Sequence, residues 1–244
     1  MAGETVKSRG VCLAVHPWSR TSHIVVWLTP AGTVRTSVKG ANRPKSAFLG
    51  QYDLNYTCEI VYYARGRGDI HALRECTPLE LRETLRGSYR RLAAADHCRH
   101  LAEELAPAGA DCREWMSALE KTLAGFAKCG DSGEIIAEML DYELKILSLS
   151  GLSPDFSGYS KAGVWSSFSV EEGRFNDNGR RVMRIRTETA KYLECPREKA
   201  DMQILLDAAR VIGVFYQFHL GCASDVRRMA LRMISTTKQQ SGET

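Results

Sequence analysis

The chain lacks closely spaced cysteines. Its eight, Cys12, Cys58, Cys76, Cys98, Cys112, Cys129, Cys195 and Cys222, are scattered singly. A structural zinc site needs soft ligands converging in tetrahedral geometry, usually supplied as near neighbours in sequence. Metal binding is therefore not expected, and the thiols are expected to be reduced and buried. His97 and His100, flanking Cys98, supply only two ligands from one helical turn. Long hydrophobic runs are missing too: charged residues break every apolar stretch before the ~18 residues a membrane span needs. The N-terminal MAGETVKSRG has no apolar secretory core, so a cytoplasmic protein with no membrane partner is expected. No G-x-x-x-x-G-K-[ST], G-x-S-x-G or H-E-x-x-H pattern occurs. Neither nucleotide hydrolysis nor any other enzymatic chemistry is expected, and no cofactor. No internal repeat is present.

What the chain has is an uneven charge. Its 244 residues leave room for two ordinary domains, and the net charge is +4. Residues 1–78 carry +5, residues 79–173 carry −6 and residues 174–238 carry +6. A basic head and a basic end suit a phosphate backbone, whereas the acidic middle does not.

Residues 8–76 read as short strands. Gly10–Val15, His23–Leu28, Thr33–Val38, Tyr56–Tyr63 and Ile70–Glu75 are β-branched or alternating, separated by turns rich in Pro and Gly. Five such strands in under eighty residues predict a small closed barrel of the OB type, since closure removes exposed edges. At Thr77 the period changes. Thr77-Pro78-Leu79-Glu80 has the form of a capping box, which predicts a helix running on through SYRRLAAADHCRHLAEEL. Cys112–Cys129 reads as a second helix, and Asp131 with Glu134 caps a third through IIAEMLDYELKILSLSG. Residues 151–186 lose the helical period and read as a loop-rich insertion with short strands near 164–170 and 181–185. Helix returns near 188–193, 198–219 and 225–234. The expected organisation is α+β: a five-stranded OB-fold nucleic-acid-binding domain over residues 1–77 and a helical domain over 78–240.

The stretch VKGANRPKS (38–46) is the most telling segment. Lys39, Arg43 and Lys45 cannot be buried without partners, while Gly40 relaxes and Pro44 stiffens the connection that presents them. Several cations on a semi-rigid loop between barrel strands are suited to a polyanion. With Arg20, Arg35 and the second turn's Arg65 and Arg67 they form a candidate DNA-binding groove that gains affinity by counterion release. Exposed aromatics would extend it by stacking unpaired bases. Trp27 and alternate members of 56–63 are claimed by the core, which leaves Trp18 and Phe48, beside turns, as stacking candidates. A further basic stretch holds Arg180, Arg181, Arg184 and Arg186, where alternation puts Arg180, Arg184 and Arg186 on one strand face. That face suits DNA or an acidic peptide. Arg82, Arg86, Arg90 and Arg91 on the first helix offer either a rim for an acidic tail or a solvated face.

The order of these parts resembles the bacterial DNA repair family RecO. The resemblance rests on the strand pair GVCLAVHPWSRTSHIVVWLTPAGTV, the connection KGANRPKS, the pair YTCEIVYYARGRGDIHALRE, the helix end DYELKILSLSGLSP and the segment FYQFHLG. It implies an OB barrel followed by a helical domain interrupted by a finger-like segment. Where many members place cysteine pairs, this chain has Ser157-Gly158-Tyr159-Ser160, and the family's Lys-Ser pair after His219-Leu220-Gly221 is absent. The resemblance thus implies a finger scaffold lacking zinc ligands, held by packing of Trp165, Phe168 and Phe175. It further implies a recombination mediator that binds single- and double-stranded DNA and anneals complementary strands. RecR and the acidic C-terminal tail of the single-stranded-DNA-binding protein SSB are the implied partners, RecA an indirect one, and the nucleoid the implied location. Two other readings remain open: a helical protein-interaction adaptor with the barrel as scaffold, and an RNA-binding OB-fold protein.

Overall fold

The computed structural model describes residues 4–64, 68–196, 199–221 and 225–236. Five strands open the chain: β1 (Glu4–Ser19), β2 (Ser22–Thr29), β3 (Gly32–Val38), β4 (Thr57–Ala64) and β5 (Ile70–Glu80). They close into a barrel in the order β1-β2-β3-β5-β4. All neighbours are antiparallel except β3 and β5, which run parallel with Arg35 beside Ile70.

The length of β1 makes closure possible. Its first half, Glu4 to Val11, pairs with β4, and its second half, Val11 to Ser19, pairs with β2. The register slips between Cys12 and Ala14, which bends the strand as bulges do. The bulged Leu13 is fully buried, and its carbonyl accepts a hydrogen bond from the Arg99 guanidinium. Inside, Cys12, Val25, Trp27, Val38, Ile60 and Leu73 pack together. The Trp27 indole N–H donates to Thr36 Oγ1 at 2.8 Å, so the polar edge of a fully buried ring is satisfied.

The expected helix start at Thr77 is not what forms. Thr77 to Glu80 continue β5, with Pro78 beside Cys58 and Glu80 beside Thr57 on β4. Pro78 is tolerated because, among the described residues, this end of β5 pairs with β4 alone, the edge setting in which a sheet accepts Pro. The turn comes later, at Arg82, in the left-handed conformation (φ 50°). The short α1 (Glu83–Arg86) precedes α2 (Tyr89–Leu105), α3 (Arg113–Phe126) and α4 (Ser132–Leu149). Asp131 caps α4 as its spacing predicts, accepting from the Glu134 N–H at 2.8 Å.

Contacts group the chain otherwise than by strand and helix. One unit joins residues 1–88 with 95–127, so α3 and most of α2 belong with the barrel. The other joins residues 89–94 with 128–244. In the first unit the loop before α3 is bonded to the β2–β3 turn: the Thr33 N–H donates to Pro107 O and the Cys112 N–H to Pro30 O. This approach requires Gly32, whose φ is +111° and whose added Cβ would lie 2.6 Å from the Gly109 nitrogen.

The second unit contains a three-stranded sheet in the order β7-β6-β8, made of β6 (Trp165–Ser169), β7 (Arg174–Phe175) and β8 (Val182–Arg186). It is followed by α5 (Thr187–Glu194), α6 (Met202–Leu220) and α7 (Asp225–Ser235). Phe168 is the hub of this sheet, fully buried and stacked on Phe156 at 5.1 Å, with Phe175 edge-on at 5.3 Å. Trp165 does not join that packing. It is 41% exposed, on the opposite face from Phe168, because the two are three positions apart and strand side chains alternate. Glu143 on α4 is fully buried and receives two bonds from Arg227 on α7, at 2.6 and 2.9 Å.

Among the described residues no helix is long and apolar enough to cross a membrane.

Candidate nucleic-acid interface

The site starts from the parity of β3. Thr36 and Val38 are buried and fill the barrel, so Arg35, Ser37 and, just beyond the strand, Lys39 lie on its outer side. The chain then makes successive turns, with the Arg43 N–H bonded to Gly40 O, Ser46 to Arg43 O and Leu49 to Ser46 O. Gly40 supplies the left-handed residue (φ +68°) that starts this path. Two bonds tie the loop to the β1–β2 hairpin: the Asn42 N–H to Thr21 O at 3.3 Å and the Gly40 N–H to Ser22 Oγ at 3.4 Å. The cations of the loop are thereby held beside Trp18 and Arg20.

A groove of about 630 Å³ results, in which Trp18, Ser37, Lys39, Arg43 and Ile70 form part of the wall. Trp18 is 69% exposed, far more than an indole adopts when packing decides its place. Across Lys39 and Ser37 a second hollow of about 500 Å³ adjoins the first, walled by Phe48, Tyr63 and Arg74 among others. No Asp or Glu among the described residues lines either. Among the described residues, Arg20, Arg35, Lys39, Arg43 and Lys45 have no carboxylate within ion-pair distance. Arg86 differs: it meets Asp53 at 2.6 Å.

The expected residues separate accordingly. Trp18, Lys39 and Arg43 share the first groove, and Phe48 meets Lys39 in the second. Arg35 lies two residues before Ser37 on the outer face of β3, and Arg20 is exposed at the hairpin tip. Lys45 is exposed on the loop but lines neither hollow. Phe48 is half-buried, because the loop also lays Phe48, Tyr52 and Tyr56 on the barrel core. Tyr52 is held there by a 2.8 Å bond between its hydroxyl and His23 Nδ1, and burial raises its pKa. Arg65 and Arg67 lie outside the described residues.

Arg74 and Tyr63 belong to the site although the sequence reading passed over them. Arg74 is exposed on β5, its guanidinium 5.8 Å from the centre of the Tyr63 ring. The signal was parity: buried Tyr62 and Leu73 put Tyr63 and Arg74 on the outside.

The set Arg82, Arg86 and Arg90 does not form a helical rim. The Arg82 side chain is 6% exposed and precedes α1 rather than lying on it. It donates to Asn55 O at 2.5 Å, to Thr57 Oγ1 at 2.8 Å and to Glu80 at 2.8 Å, and burial lowers its pKa. Its neighbour Arg9 bonds Glu120 and Glu80, so this end of the barrel is closed by charge pairing. Arg86 lies 5.5 Å from the Tyr56 ring in addition to its Asp53 bond. Arg90, in the other unit, donates to Thr236 O. Arg180 and Arg184 are exposed, and Arg186 meets Asp207 at 3.7 Å.

Comparison with known proteins identifies the family. The family description Recombination protein O N terminal matches residues 1–82, and Recombination protein O C terminal matches residues 86–225. The chain is 27% identical over 174 residues to the DNA repair protein RecO of Alkaliphilus metalliredigens, an alignment spanning 69% of each chain. It is 29% identical over 153 residues to that of Roseiflexus sp., spanning 63% of this chain and 52% of the relative. To that of Rhodopirellula baltica it is 28% identical over 145 residues, spanning 59% and 53%. The latter two alignments thus cover about half of each relative's length. The two family matches together run from residue 1 to 225, and they lead to one conclusion: the chain belongs to the recombination protein O family, RecO, whose role is in DNA repair and recombination.

Proposed function

We propose that the barrel is an OB fold and that its grooved face binds DNA, so that the protein acts as a recombination mediator without chemistry of its own. The strand order with its parallel β3–β5 contact supports the fold reading. The observation that carries the function is the groove itself, where Lys39 and Arg43, with no carboxylate partner among the described residues, stand beside the exposed ring of Trp18. Cations there neutralise phosphates and release counterions, and an exposed indole offers a base a stacking surface. Neutralising two backbones together lowers the repulsion between complementary strands, which is what annealing requires. Neither a nucleotide nor a metal is needed for this. RecR, the acidic tail of SSB and, through them, RecA are the partners in this reading, with the protein at work on the nucleoid in the cytoplasm.

The test is an annealing assay with complementary oligonucleotides, one coated with SSB, comparing the native protein with the Lys39→Ala, Arg43→Ala, Lys45→Ala variant. Loss of both DNA binding and annealing in the variant is the expected result. Undiminished DNA binding, with protein partners lost instead, would transfer the function to the helical part. Preference for RNA over DNA of equal length would make the barrel an RNA-binding module.

A further inference from the structure

The small sheet of the second unit presents two unlike faces. Ser166 and Phe168 on β6 alternate inward with Ile185 on β8, and all three are buried. The opposite face carries Trp165 and Ser167 from β6, with Arg184 and Arg186 from β8. Trp165 pairs directly with Arg186, and Arg184 pairs with Ser167 one step along the same face. Both guanidinium carbons lie 5.5 Å from the centre of the indole. The ring is 41% exposed, and Val164 beside it is 73% exposed. Neither β6 nor β8 contains an acidic residue, and the run from Arg180 to Arg186 holds four arginines. Among the described residues Arg184 has no carboxylate partner, and Arg186 has only Asp207 at 3.7 Å.

The fold has no use for this arrangement. The buried face of the sheet supplies the packing, and an exposed strand residue needs only to be compatible with the pleat. An indole with two arginines costs side-chain entropy to order, and the cation–π contacts of an exposed site return little of it.

We propose that this face is a second single-stranded nucleic-acid site, with a base stacked on Trp165 and Arg184 and Arg186 on the flanking phosphates. It goes beyond the barrel reading and stands without it. Charge complementarity identifies a polyanion. The flat, open face selects a nucleic acid rather than an acidic peptide, because a peptide with an apolar anchor needs a slot, whereas a base needs a ring on which to lie.

Fluorescence tests the site directly, because Trp27 and Trp115 are 0% and 6% exposed and leave Trp18 and Trp165 as the accessible indoles. In a Trp18→Phe protein the accessible emission comes from Trp165; in a Trp165→Phe protein it comes from Trp18. Oligo-dT is expected to quench the Trp18→Phe protein, and Arg184→Ala with Arg186→Ala to weaken that quenching about tenfold, as loss of stacking and phosphate contacts does. Polyphosphate, which has charge but no bases, is expected to bind without quenching. The proposal is overturned if oligo-dT leaves Trp165 unquenched, or if an Asp/Glu-rich peptide displaces it at lower concentration. Quenching of Trp18 alone would leave the barrel groove standing and remove this site, and quenching of Trp165 alone would do the reverse. Circular dichroism of each variant confirms folding, and the Phe substitutions keep a ring at both surface positions.

Discussion

The groove makes a quantitative claim about salt. Each phosphate contact on a single strand contributes about 0.7 to the slope of log affinity against log salt. Lys39, Arg43 and Lys45 are exposed and unpaired with carboxylates, so three Ala substitutions should flatten the slope by about 2. Between roughly 50 and 200 mM salt each contact then accounts for a factor of about 2.6, and three for about 18. If Arg20 and Arg35 contribute equally, the native protein loses about 130-fold in affinity over that range and the variant about 7-fold. The curves should converge as salt rises, which makes the prediction sharper than a loss of affinity at one condition. Fluorescence anisotropy with a labelled oligonucleotide at four or more salt concentrations measures both slopes. Parallel lines would refute the reasoning even if the variant bound more weakly, because the lost affinity would then not come from counterion release.

Three further outcomes follow from the packing. Arg82→Met should cost about 2 kcal/mol of stability in urea, since the bonded oxygens of Asn55, Thr57 and Glu80 lose their donor; oligonucleotide affinity of the folded variant should be unchanged, and a loss of affinity there would return Arg82 to a binding surface. Arg227→Ala should destabilise by about 3–5 kcal/mol by removing the cation that bonds both carboxylate oxygens of the fully buried Glu143, and pairing it with Glu143→Met should recover most of that in thermal melts; equal melting of the single and double variants would show that the buried carboxylate carries no cost of its own. In native-state alkylation Cys195 should react first, because it is the exposed cysteine among those described, whereas Cys12, whose pKa burial raises, and Cys76, whose pKa is raised by its hydrogen bond with Cys58 and by burial, should wait for unfolding. Burial also pushes the Cys129 thiol up to about 11. A raised pKa favours the protonated fold, so its contribution is complete below the ordinary thiol range and fades as pH rises toward 11; alkaline melts that show no such fading in the native protein relative to Cys129→Ala would contradict the assignment.

The strands were legible in two ways: alternation of period two where one face is buried, as in Thr33–Val38, and a continuous β-branched or apolar run where both faces are, as in Ile24–Leu28. The helices from Cys112 onward were legible for the corresponding reason. The error at Thr77–Glu80 shows where local signals fail. A hydroxyl, a Pro and a Glu at the right spacing describe a helix start, but the same four residues are claimed by β4, which pairs with them through Cys58 and Thr57. Tertiary pairing outweighs a cap worth about 1 kcal/mol. Trp165 shows the same limit, since composition makes a lone indole look like core, and only the register with Phe168 buried shows that it points the other way.

The candidate site was half legible, and the arginines explain why. Sequence alone places Lys39 on an exposed loop and Arg82 on a helix face, and so puts both at the surface. Their fates differ through what the fold brings within reach. Glu80, Thr57 and the carbonyl of Asn55 converge on Arg82, and a charge that finds three acceptors can be withdrawn from water. Among the described residues no carboxylate lines the groove at Lys39. A cation left without an internal partner can stay only in solvent, where it remains available to a phosphate. Arg74 completes the argument from the other direction: it escaped notice as a single charge in an otherwise ordinary strand, and it enters the site because β5 sets it beside Tyr63, on the same wall as Phe48 and Lys39. Counting cations along the chain therefore overstates the site at Arg82 and understates it at Arg74, and the discriminating quantity is the nearest carboxylate in space.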